Sequence, residues 1–139
     1  MSAVALFILL FGFFAITFIQ SGMDKIMDTE GNLGWFKSQF QNSFLNKIIT
    51  PLFWLITLQE LLCGGMMLIA IFNASKALLS YRANQFFEYH AEDMPFIFAV
   101  FVLIQLFFGQ RIAKDYAGAS GIIPYIILAV ISWALALFL

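Results

Sequence analysis

Four long stretches of the chain carry almost no charge, and the charged side chains gather between them. The first runs from Met1 to Met23. The second, Ile48 to Ser75, is interrupted by Glu60 alone, the third runs from Met94 to Gln110, and the fourth from Tyr116 to Leu139. None alternates apolar and polar residues at period two, the pattern of a membrane β-barrel strand. Crossing a hydrocarbon layer of about 30 Å takes about 20 mostly apolar residues in a helix. Each stretch therefore reads as a crossing helix.

Proline placement sharpens the boundaries. Pro51, Pro95 and Pro124 each stand near the start of a run, where the first helical turn has no acceptor for the N–H that proline lacks. The predicted spans are about 3–20, 51–72, 95–110 and 124–138. They form one all-α integral membrane domain over residues 1–139, a four-transmembrane-helix bundle with short interfacial amphipathic helices in its loops. The third span is short, about 24 Å at 1.5 Å per residue, and reads as a crossing or a re-entrant segment. The first has no Lys or Arg before it and a longer apolar core than a cleaved signal peptide, so it reads as a retained helix.

The connections are aromatic. Phe36, Phe40 and Phe44 recur every four residues beside Trp35, one helical face that suits either the membrane interface or the end of the bundle. The segment Ala74 to Asp93 carries Tyr81, Phe86, Phe87 and Tyr89 and is expected to lie against the membrane as well. Its Glu88, His90, Glu92 and Asp93 are metal-ligand types. His90 is the sole histidine and is two residues from either glutamate, on a different helical face. A solvated polar rim is the default there, and no metal site is predicted.

Composition agrees with this and excludes other classes. Hydrophobic residues make up 63% and charged residues 11%, against roughly 25% charge in soluble domains, and mean hydropathy is +0.93. A disordered segment is excluded by the same figures, and a disulfide scaffold by the single cysteine, Cys63. A net charge of −1 offers no basic surface to nucleic acid. Lys25, Lys37 and Lys47 lie between the first two spans and Arg111 and Lys114 between the last two, against Lys76 and Arg82 on the other side. The positive-inside bias places those loops in the cytoplasm and both termini outside.

Glu60 is the sharpest single residue. It falls near the middle of an apolar span, where a carboxylate is costly unless a cation or hydrogen bonds compensate, and where ionisable groups usually face the bundle interior. Antiparallel threading puts Gln20, Lys25, Glu60, Gln105, Gln110 and Arg111 in one leaflet. Lys25, Glu60, Gln105 and Arg111 are thus the candidate polar site, suited to a quinone, a small solute or a proton; the alternative is an ion pair from Glu60 to Lys25 or Arg111 that locks the bundle. Cys63 reads as a small core hydrophobe, and Met66 and Met67 as core. Gly64, Gly65, Ala113, Ala117 and Gly121 are candidate points of close helix approach. No phosphate loop, zinc ligand set, nucleophile triad or c-type haem motif is visible.

Taken together, Ser21-Gly22-Met23-Asp24-Lys25, which resembles a Gly-x-x-Lys element, Gly31-Asn32-Leu33-Gly34-Trp35-Phe36, and the run from Gly109 to Ala119 (GQRIAKDYAGA) resemble the DoxX-like (DoxD-like) family of small four-helix bacterial membrane proteins. The resemblance covers essentially the whole chain. It implies an inner-membrane protein. Some members are the membrane subunit of a thiosulfate:quinone oxidoreductase, others associate with redox or export systems, and many have no assigned activity. No exposed cysteine pair supports thiosulfate handling here.

The leading expectation is an accessory subunit without catalysis of its own, packed against other membrane proteins and lipid. A quinone-linked oxidoreductase subunit with its site around Glu60 is the alternative. A small-solute or proton carrier comes third, since the outer halves of the spans supply few polar residues. No cofactor is evident; a quinone or a bound lipid is the ligand class such a site would suit.

Overall fold

A computed structural model of the chain describes residues 2–80 and 93–138. Five α-helices occupy them: α1 (Ser2–Met27), α2 (Thr29–Phe40), α3 (Ile49–Leu79), α4 (Asp93–Ile112) and α5 (Tyr116–Phe138), with a 3₁₀ turn at Asn46–Ile48. No strand occurs among the described residues. The helices α1, α3, α4 and α5 are long and apolar enough to cross a membrane. Their outward faces carry large apolar side chains, among them Leu9, Ile16, Leu58, Ile69, Phe72, Ile104 and Ile127. Such faces would be untenable in water. The chain is a multi-pass membrane protein.

The helices run past the predicted spans, for local reasons. α1 continues through Asp24 and Lys25 to Met27, and α3 has 31 residues, about 46 Å at 1.5 Å per residue. α3 thereby takes in the first part of the aromatic segment predicted to lie on the membrane. The rest of that segment, with Tyr81, Arg82, Phe86, Phe87, Glu88, Tyr89, His90 and Glu92, lies outside the described residues. Pro51 and Pro95 do sit in first turns. Pro124 does not: α5 starts at Tyr116 and holds the proline in its interior, because Asp115 accepts a bond from the Gly118 N–H at 2.9 Å and starts the helix there.

Both connections at this end of the bundle are ordered by polar caps. Between α1 and α2, Asp28 accepts from the Gly31 N–H at 3.0 Å, and the Asn32 amide donates to the carbonyls of Asp24 and Asp28. Between α4 and α5, Lys114 takes a left-handed conformation (φ 60°). The Asp115 and Lys114 N–H groups then close onto the carbonyls of Gln110 and Arg111, a Schellman turn. Arg111 lies over the Tyr116 ring at 4.6 Å. Much of the run from Gly109 to Ala119 is thus a turn, a cap and a cation–π contact.

Two antiparallel hairpins make the bundle, α1 with α3 and α4 with α5. Within the first, the buried positions step by three and four: Val4, Phe7, Phe11, Phe14, Phe18, Gly22 and Lys25 on α1, and Ile49, Phe53, Ile56, Glu60, Cys63, Met67, Ala70 and Ala74 on α3. This is the 3.5-residue seam of left-handed helix packing. The close approach comes at Gly22, which faces Leu61, and at Gly64, whose absent Cβ would stand 3.1 Å from the Ile19 backbone nitrogen. Gly65 and Gly121 have open space where a Cβ would be, Ala117 is exposed and Ala113 half-buried. The hairpins meet through rings rather than small residues. Phe96 of α4 stacks on Phe11 with centroids 4.8 Å apart and meets Phe7 and Phe14 edge-on, filling the wider gap with large apolar area.

α2 follows α1 directly after Asp28 and packs on the start of α3. Phe36 meets Phe53 edge-on at 5.3 Å, and Phe40 is buried beside Gly109. These two phenylalanines close the end of the bundle. Phe44 falls beyond the helix and is exposed.

Candidate functional site

Glu60 stands on the α1–α3 seam between the apolar positions Ile56 and Cys63, and it is 1% exposed. Its charge is met from α1. Lys25 Nζ donates to Glu60 Oε2 at 2.8 Å and to Oε1 at 3.1 Å. The Ser21 hydroxyl donates to Oε1 at 2.9 Å and accepts from Lys25 Nζ at 2.8 Å. Lys25 also donates to the Ser21 carbonyl at 3.2 Å. Ser21 and Lys25 are four residues apart, one turn on the same helix face, so a single stripe of α1 supplies both donors. Cation and anion neutralise each other, and both carboxylate oxygens are engaged, which is the condition for a buried pair to be tolerated.

The pair lies well inside the apolar layer. Leu103 and Leu106 border the same cavity as Glu60 and precede the end of α4 by six to nine residues, about 9–14 Å. That cavity, of about 150 Å³, is also bordered by Thr17, Ser21, Ile122 and Tyr125. Tyr125 is exposed and stacks on Phe13 of α1 at 5.8 Å. The cavity thus lies where α1 faces α5, beside the buried Glu60 side chain.

A second, larger cavity of about 280 Å³ lies between α2, the start of α3 and the end of α4. Trp35, Phe36, Phe40 and Phe44 form its aromatic wall, Leu52 and Ile56 its α3 wall, and Gln105 and Gln110 its polar contribution from α4. Leu106 borders both cavities. The buried Gln105 Nε2 has no hydrogen-bond partner.

The four residues of the predicted polar site are therefore distributed over three places. Lys25 and Glu60 bond directly. Gln105 belongs to the aromatic cavity, and Arg111 is exposed on the Tyr116 ring at the α4–α5 turn. Gln20 is exposed, and Gln59 has a buried Oε1 without a partner. Cys63 is fully buried in the aromatic and aliphatic core. Ser21 was not among the predicted site residues, although its spacing of four from Lys25 is a signal that sequence carries. Among the described residues no group of three or more His, Cys, Asp or Glu side chains is placed to hold a metal ion. No protein-family model, curated protein or solved structure matches the chain.

Proposed function

We propose that the chain is an accessory subunit of a larger membrane assembly, with no catalysis of its own, in the manner that its resemblance to DoxX-like proteins implies. The observation that carries this reading is the state of α5. Only 17% of its most apolar stretch is buried, against 33% and 39% for α1 and α3. Its exposed residues include the small Ala117, Ser120 and Gly121. Small residues present little surface to lipid but let another helix backbone come close. Placement in a bacterial inner membrane belongs to the same proposal. So does an orientation with both termini outside, supported by exposed Lys37, Lys47, Arg111 and Lys114 at one end.

Gly121→Leu tests it, because a side chain there meets nothing within this chain. Mild-detergent purification and mass spectrometry should recover a stoichiometric membrane partner with the wild-type chain and lose it with Gly121→Leu, while thermal stability stays unchanged. A wild-type chain that runs as a monomer with no partner overturns the reading.

One observation favours a second reading, a quinone-linked subunit: the side cavity that Glu60 and Ser21 border beside the exposed Tyr125. Its test is the paired change Lys25→Gln/Glu60→Gln, which removes both charges without leaving either alone. Quinone-dependent turnover of the intact assembly should fall by at least about tenfold with little change in stability; unaltered turnover sinks this reading. The seam beyond Glu60 holds Cys63, Met67, Ala70 and Ala74 against Phe14, Phe11 and Phe7. A carrier would need a polar route there, and the seam supplies none among the described residues.

A further inference from the structure

We infer that the aromatic cavity at the end of the bundle is a binding site for a neutral, largely apolar molecule of the bilayer that presents a carbonyl oxygen to Gln105. The inference is independent of both readings above, since Glu60, Lys25 and Ser21 do not border this cavity.

Three features define the ligand. The first is the unpaired donor. Gln105 Nε2 is buried without a partner, and a buried polar group left unbonded is costly. A ligand oxygen would offset that cost. Water is a poor candidate for the whole space, because an ordered water needs two to four polar partners and the lining is nearly all carbon, with the Gln105 and Gln110 amides and the Trp35 indole as its polar side-chain groups.

Charge is the second feature. No Lys, Arg, Asp or Glu lines the cavity among the described residues. A phosphate, a fatty-acid carboxylate or an amine would be stripped of water there with nothing to neutralise it. The ligand is therefore neutral.

Shape and access are the third. The cavity's about 280 Å³ is near the lower bound of small-molecule sites, enough for a ring or for the ester-bearing part of a lipid, with an apolar tail left outside. Phe44 and Phe108, 76% and 62% exposed, belong to its lining and connect it to the surrounding lipid. The wall of Trp35, Phe36 and Phe40 offers ring faces and edges to whatever enters. Two bilayer molecules share this chemistry, a quinone ring and the ester of a neutral glycerolipid.

The full chain in phosphatidylcholine nanodiscs provides the test. Trp54→Phe and Trp133→Phe leave Trp35 as the sole tryptophan of the three, placed in the cavity wall. One arm titrates decylubiquinone, which quenches tryptophan; the other titrates a diacylglycerol brominated on its acyl chains near the ester. Saturable quenching of Trp35 by at least one of them is the expected result. Saturation by the quinone alone assigns a ring, by the diacylglycerol alone an ester, and by both the shared carbonyl. Gln105→Leu should weaken the saturable component about tenfold.

Gly109→Leu should abolish it. A Cβ at Gly109 would stand 3.6 Å from Phe40 Cζ, ordinary contact, so a longer side chain can enter the cavity without forcing the helices apart. Gly109→Leu also decides alone if Gln105→Leu does not fold. Strictly linear quenching by both compounds in the wild-type background overturns the inference, as does quenching that saturates equally in the wild-type background and in the Gln105→Leu and Gly109→Leu variants.

Discussion

Lys25→Met is expected to destabilise the protein by about 3–5 kcal/mol, the usual consequence of stripping one partner from a buried ion pair. It leaves the Glu60 carboxylate 1% exposed with the Ser21 hydroxyl as its remaining donor. Glu60→Leu alone should cost a similar amount, now by stranding the ammonium. The informative variant is the double one. Lys25→Met/Glu60→Leu removes both charges and fills the seam with apolar side chains of similar size, and such replacements are often neutral. Its stability should return to within about 1–2 kcal/mol of wild type, giving a coupling energy of several kcal/mol between the sites. Unfolding midpoints in mixed micelles across all four proteins measure this. Additive losses would show that the two charges do not interact. Ser21→Ala should cost about 1 kcal/mol, the value of one hydrogen bond, and sets the scale for the cluster.

The adjacent glycines of α3 should respond in opposite directions. At Gly64 a Cβ would collide with the Ile19 side chain and come within 3.1 Å of its backbone nitrogen. Backbone cannot rotate aside as a side chain can, so Gly64→Ala must push α1 from α3, at about 1–3 kcal/mol, the range for overpacking. Gly65 has nothing within 4 Å of the same position. Gly65→Ala should be neutral or stabilising by up to about 1 kcal/mol, since alanine favours helix over glycine by that much. A larger loss at Gly65 than at Gly64 would mean that α1 and α3 do not approach here. Gly12, also in open space, is a control and should behave like Gly65.

The spans were legible because a stretch of some twenty residues without charge has few soluble explanations. Their ends were less so. Charge looked like a stop signal for α1, yet the helix carries Lys25 inside because Glu60 neutralises it across the seam. Proline looked like a start signal for the last span, but the Asp115 cap lies nine residues before Pro124. The seam itself was the hardest to see. In lipid the outward face of a helix is as apolar as the inward face, so Phe13 and Phe14, neighbours in sequence, carry no mark telling which is buried.

Glu60 escaped that ambiguity because a carboxylate in an apolar run must face inward. Lys25 followed by its leaflet. Leaflet alone does not fix helical phase, however, and phase separates Gln105 from the ion pair. Arg111 is held away by a different cause, the local turn that directs its guanidinium onto Tyr116. The cavity around Gln105 was not visible at all, because it is made by α2 packing over two other helices.

The ion pair also constrains how the protein is made. Lys25 and Glu60 are 35 residues apart, so at about 5–20 residues per second the ribosome needs a few seconds to supply the carboxylate after the lysine. During that interval α1 holds an ammonium without its counter-ion. Headgroups are where such a charge rests at low cost. The lysine can take its neutralised place in the seam only once α3 has been made, so the closing of the first hairpin depends on a residue synthesised late.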